Sequence, residues 1–203
     1  MKTTFKISAL VLAFAGLALG AKAQTSTTTT TTTKTSTGPN GVVISVGADA
    51  GIPTGKLNDF YNWNIGGSVQ ADIPILPHQL FVTVNAGYNS IQGKKNIGGV
   101  QGLDATNIQL LPVKAGLKYF PISHFYIQGE AGAAFLLNKS DLNYDKSAAF
   151  VYAPQLGYQF PLGGKSYLDA GVRYEASTKF SSVADNSKVN FFGLRVAYAF
   201  DTK

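Results

Sequence analysis

The 203-residue sequence contains no cysteine. Disulfides, thiolate metal sites, a cysteine nucleophile and a lipid-modified N-terminal cysteine are excluded together. Charge is scarce as well: 14% of residues are Asp, Glu, Lys or Arg and 45% are hydrophobic, whereas a typical soluble domain is about 25% charged. Part of the surface of such a chain does not face water. Yet beyond the N-terminus no stretch offers the ~20 uninterrupted apolar residues of a transmembrane helix. If the chain spans a membrane, it does so with strands. Histidine occurs only as His78 and His124, which leaves little material for general acid–base catalysis.

The N-terminus reads MKTTFKISALVLAFAGLALGAKAQ, with Lys2 and Lys6, an apolar run from Ala9 to Leu19, and then Ala21-Lys22-Ala23. This order of basic, apolar and small residues predicts a secretory signal peptide over 1–23, cleaved between Ala23 and Gln24. Cleavage removes three lysines and no acid, lowering the formal charge from +6 to +3. The basic pI is therefore not read as nucleic-acid binding. Residues 24–40, QTSTTTTTTTKTSTGPN, contain no apolar residue to bury and predict a threonine-rich, solvated linker. No motif in the linker marks it for sugar attachment. One domain follows, over 41–203.

In that domain the hydrophobic residues alternate. Segments at 42–52, 63–73, 80–89, 106–120, 125–136, 149–160, 166–176 and 190–200 each read as a strand with one apolar and one polar or small face. The last is the clearest. Phe192, Leu194, Val196, Tyr198 and Phe200 oppose Phe191, Gly193, Arg195, Ala197 and Ala199. In the fourth segment the parity slips: Ile108 and Leu110 are apolar before Pro112, and Val113, Ala115, Leu117 and Tyr119 after it. A one-residue bulge at Leu111-Pro112 is the expected cause. Pro154 sits inside the sixth segment without shifting its parity. The joins PILPHQ, PIS and PLGGK are short, whereas those around 53–62, 90–105, 137–148 and 177–189 are long and polar. Short turns on one rim, long loops on the other and an even strand number predict an all-β, eight-stranded antiparallel up-and-down transmembrane barrel.

LLPVKAGLKYF, YAPQLGYQF, LDAGVRYE and FGLRVAYAF together resemble the small eight-stranded outer-membrane β-barrel proteins of the OmpA/OmpX and PorT-like kind. Gly193, Tyr198 and Phe200 resemble the C-terminal strand by which such barrels are recognised for insertion. The resemblance implies an integral protein of the outer membrane of a Gram-negative bacterium, with membrane lipid and the barrel-insertion machinery as partners, and a monomer. It implies little about activity, because the fold hosts anchors, adhesins, enzymes and narrow channels. The rival architecture is a soluble lipocalin-like barrel with the polar face outside.

With the apolar face outward, the lumen receives Asp49, Asp72, Glu130, Asp169 and Glu175 with Lys114, Lys118, Arg173 and Arg195. An eight-stranded interior is only wide enough for side chains to fill, so these charges are expected to interlock as a plug. Within β-strand spacing Asp169 and Arg173 are about 13 Å apart, so their partners are expected on neighbouring strands. A proton or ion path through the same charges is the alternative. His78 and His124 fall in short turns and no long loop contains His, so no catalytic residue is assigned. Asp141 with Asp145 lacks a calcium-loop spacing, and Gly98, Gly99 and Gly102 precede no helix, so no metal or cofactor site is assigned. The expected function is structural or interactive, carried by the long loops toward an unidentified extracellular ligand. A narrow channel comes second and an outer-membrane enzyme third.

Overall fold

The computed structural model describes residues 39–97, 100–142, 145–181 and 187–203. The proposed cleavage positions Ala21, Ala23 and Gln24 and the linker as far as Gly38 lie outside the described residues. The strands are β1 (Val43–Pro53), β2 (Tyr61–Leu76), β3 (Leu80–Gly93), β4 (Ile108–Ile122), β5 (Phe125–Leu136), β6 (Ala148–Gly163), β7 (Ser166–Ser177) and β8 (Asn190–Asp201). Each pairs antiparallel with the next, and β8 pairs back onto β1 over Val43–Pro53, closing the barrel. Closure leaves no strand edge unpaired, as a hydrocarbon surrounding requires. Among the described residues no helix is long and apolar enough to cross a membrane. The helices α1 (Leu57–Phe60) and α2 (Lys139–Leu142) are four residues each and lie in loops.

Burial settles which face is inside. Val172 is 59% and Phe192 62% exposed, whereas Asp169 and Arg195 are 0% exposed. Every charged residue in the eight strands is buried, and the outer wall carries Val, Ile, Leu, Phe and Tyr. A soluble barrel would show the reverse. Aromatic residues gather toward the strand ends, among them Tyr119, Tyr158, Phe160 and Tyr198 at the turn end and Trp63, Phe150 and Phe192 at the loop end. Girdles of this kind mark the two membrane interfaces.

The expected bulge at Leu111-Pro112 does not form. β4 keeps one register with β3 from Leu80↔Tyr119 to Ile91↔Ile108, and one with β5 from Leu110↔Leu136 to Tyr119↔Ile127. Ile108, Leu110 and Pro112 are buried in the same inward row as Lys114 and Lys118. The parity slip marks instead where the lumen changes from polar to apolar. Pro112 interrupts only the ladder to β3 and Pro154 only that to β6's neighbour β7, with the register unchanged on either side of each. Each proline removes one N–H donor from one flank of its strand.

The short connections are turns at Pro77–Gln79, Ser123–His124 and Gly164–Lys165. His78 and His124 both adopt φ of 66°, the left-handed region that His tolerates better than most residues. Both shape the backbone of their turns, and the His124 ring also stacks on Tyr158 with centroids 5.8 Å apart. At the opposite end, backbone bonds such as Lys94 N–H to Phe60 C=O (2.8 Å) and Thr178 N–H to Phe150 C=O (2.8 Å) carry the pairing into the loops.

Candidate functional site

The lumen brings together all nine charged residues singled out from the sequence, and it is layered. At the turn end Phe81, Phe120 and Tyr126 form a small aromatic cluster, with Phe81 and Phe120 edge to face at 5.6 Å. Above it lies the Lys118 layer. Lys118 Nζ is 2.7 Å from Asp72 Oδ2, 3.3 Å from Asp169 Oδ2 and 4.3 Å from the centre of the Tyr126 ring. Asp169 also accepts from the Tyr126 hydroxyl (2.6 Å) and from Gln159 Nε2 (2.9 Å). Arg195 sits 3.9 Å from Asp169 and donates to Ser68 (2.9 Å) and Ser45 (3.0 Å).

The next layer is organised by Lys114 and Arg173. Lys114 Nζ is 2.6 Å from Glu175 Oε2 and 3.4 Å from Glu130 Oε2. Arg173 is 2.9 Å from Asp49 Oδ1 and 3.8 Å from Glu175 Oε2. Partners were expected on neighbouring strands; mostly they are not. Lys114–Glu130 joins β4 to its neighbour β5 and Arg195–Asp169 joins β8 to its neighbour β7, but Lys118–Asp72 crosses from β4 to β2, Lys118–Asp169 and Lys114–Glu175 cross from β4 to β7, and Arg173–Asp49 passes over β8. The narrow bore is the cause, since long basic side chains reach the far wall as easily as the adjacent strand.

At the loop end the lumen is apolar. Leu57, Tyr61, Ile91, Ile108, Leu110, Ala134, Leu136, Ala149, Val151, Phe180, Val189 and Phe191 form one buried cluster. Leu57, Phe180 and Val189 come from loops, so the loops themselves complete the cap. Sequence reading assigned these residues no role. The signal was present in Ile108 and Leu110, whose inward parity was taken for a bulge.

Tyr126 was missed too, although it shares the parity of Gln128 and Glu130. It lies in a row of register partners, Tyr126, Gly157, Gly171 and Arg195. The two glycines let its ring lie flat along the wall toward Asp169; a Cβ at either position would collide with the Tyr126 side chain. Gln155 Nε2 donates to the Tyr126 hydroxyl at 2.7 Å and completes the arrangement. Of the terminal-strand residues, Tyr198 and Phe200 face outward, with the Tyr198 hydroxyl 2.6 Å from Ser166 Oγ. Gly193 stands between Gly51 and Arg173, where a Cβ would make ordinary contact with the Phe191 ring and the Arg173 side chain. Among the described residues no group of His, Asp or Glu is arranged to hold a metal ion.

A model of the family described as outer membrane protein beta-barrel domain matches residues 8–200. The chain belongs to that family. It is an outer-membrane β-barrel of a Gram-negative bacterium, and its hydrophobic wall and paired lumen are the features such a barrel needs. Among solved structures, the outer-membrane protein Ail of Yersinia pestis in a phospholipid nanodisc is 17% identical over 79% of this chain and 99% of that one, with a TM-score of 0.52. Neisserial surface protein A is 14% identical over 80% and 96%, with a TM-score of 0.48. The likeness to Ail extends to the barrel fold. No curated protein matches the chain.

Proposed function

We propose that this outer-membrane barrel is a closed, non-catalytic scaffold that holds its four long loops outside the cell for contact with a surface partner. The observation that carries the reading is the layering of the lumen: interlocked ions between an aromatic cluster at the turn end and an apolar cap at the loop end. Five acids meet four bases across the bore, and every one of the nine is buried. Such a filling favours a plug over a path, because a conducting lumen needs sites that ions enter and leave. The loops at 54–60, 94–107, 137–147 and 178–189 are the segments this frame carries. Planar-bilayer recording tests the closed lumen. The wild type is expected to show little steady conductance. Arg173→Ala is expected to lower the unfolding midpoint without opening a pore, because the apolar cap remains. Stable, ion-selective currents in the wild type, altered by Arg173→Ala without loss of stability, would establish the channel instead. Deleting one loop at a time and screening for binding to surface ligands tests the interactive role.

A further inference from the structure

The outer wall is not evenly covered. Over β4, β5 and β6 it dips into a shallow trough of about 630 Å³, open to the outside and lined chiefly by Ala115, Leu117, Gly129, Ala131, Tyr152 and Pro154. The register explains the dent. Leu117 faces Gly129, which faces Pro154, and Ala115 faces Ala131, which faces Tyr152. Along β5 the outward positions run Phe125, Ile127, Gly129, Ala131, Ala133 and Phe135, so a small-residue floor lies between bulky ends. A Cβ built at Gly129 meets nothing within 4 Å. The trough is therefore open space at a position where a side chain would fit.

We propose that this trough is a binding groove for one acyl chain of a membrane phospholipid. It opens on the apolar belt, where whatever fills it is hydrocarbon or another apolar surface. Glu130 is the one charged residue that borders it, and its carboxylate pairs inward with Lys114. Width discriminates between occupants. The axes of β4 and β6 are about 9.6 Å apart, twice the strand spacing, and the Leu117 and Tyr152 side chains narrow that gap. A helix with its side chains needs about 10–12 Å, so it rides over the trough, whereas an extended alkyl chain lies within it and gains the close contacts that the floor offers. Height identifies the lipid. Gly129 is four residues from Phe125 at the turn end, about 14 Å along the strand and about 10 Å along the membrane normal at a barrel's usual tilt. Ala131, two residues further on, lies near the middle of an apolar band about 25 Å tall, and Gly129 lies in its turn-side half. With the turns periplasmic, an orientation that rests on the reading proposed above, this is the phospholipid leaflet.

The test is electron paramagnetic resonance of the full barrel in phospholipid vesicles containing a phospholipid spin-labelled near the methyl end of one chain. Wild type is expected to show a motionally restricted component, and Gly129→Leu, which fills the trough, to lose the part of it that the trough holds. Val69→Phe, on the outward face of β2, is expected to leave the component unchanged, and heat-modified electrophoretic mobility verifies that both variants fold. An equal restricted component in Gly129→Leu overturns the proposal. So does efficient disulfide-linked dimer formation by Ala131→Cys in the same vesicles, which would place a second copy on the trough. The orientation is decided separately by protease access to Lys165, and its reversal changes which leaflet supplies the lipid while leaving the spin-label outcome intact.

Discussion

Lys114 and Glu175 stand on β4 and β7, three strands apart around the wall, and their charged atoms are 2.6 Å apart across the lumen. The contact ties opposite walls of the barrel. Removing one member of a buried pair strands the other charge, at a cost of about 3–5 kcal/mol. Lys114→Met is therefore expected to lower the urea midpoint strongly, because both Glu175 and Glu130 lose their nearest cation. Lys114→Met combined with Glu175→Leu is expected to cost less than the sum of the single changes, since the second removes a charge that the first left uncompensated. Strict additivity in the double-mutant cycle would mean the pair is not coupled.

Gly157 gives a second prediction. Its missing side chain is where the Tyr126 ring lies, so Gly157→Ala is expected to push the ring off the wall and weaken its 2.6 Å bond to Asp169. Overpacking of this kind costs about 1–3 kcal/mol. Tyr126→Phe leaves Asp169 short of one donor, and because both changes strike the same bond their effects on the thermal midpoint are expected to be less than additive. An unchanged midpoint in Gly157→Ala would show that the ring can move at no cost.

The third prediction concerns closure. Tyr198 to Asp201 pair with β1 from Val43 to Val46 and, up to Phe200, with β7 from Ser166 to Leu168. Deleting Tyr198 to Lys203 is expected to abolish folded protein in the outer membrane, since the turn ends of β1 and β7 are left as open edges. Wild-type amounts of heat-modifiable barrel after the deletion would refute this.

Trypsin on intact cells provides the fourth. Lys94, Lys95, Lys139, Lys146, Lys179 and Lys188 lie in the long loops and Lys165 in a two-residue turn. Cleavage is expected in the loops alone. Cutting at Lys165 with the loops spared would invert the orientation.

Strand number, strand boundaries within a few residues, closure and the nine inward charges were all legible in the sequence, because alternation is a local signal with a period of two. The pairings were not. Parity says that Arg173 faces inward, but that it meets Asp49 across β8 depends on the bore and stagger of the closed barrel, which no single strand encodes. The apolar cap was hidden for a different reason. A membrane barrel has two apolar environments, lipid outside and a sealed mouth inside, and residues such as Ile108 and Leu110 read alike in both. Phe180 and Val189 were harder still, lying in a loop where no period applies.

The seam between β1 and β8 also governs the order in which the molecule is made. Asp201 accepts from the backbone N–H of Asn40 at 2.9 Å and of Gly41 at 3.1 Å, across 161 and 160 positions of chain. Contacts this distant in sequence form late and slowly, since the whole intervening chain must first be brought to heel. Until they form, β1 is paired along one edge only, with β2, and the seven hairpin pairings leave its other edge uncovered. The first strand of this barrel to leave the secretion channel is thus the last to be fully paired, and for that interval its safety depends on whatever holds it.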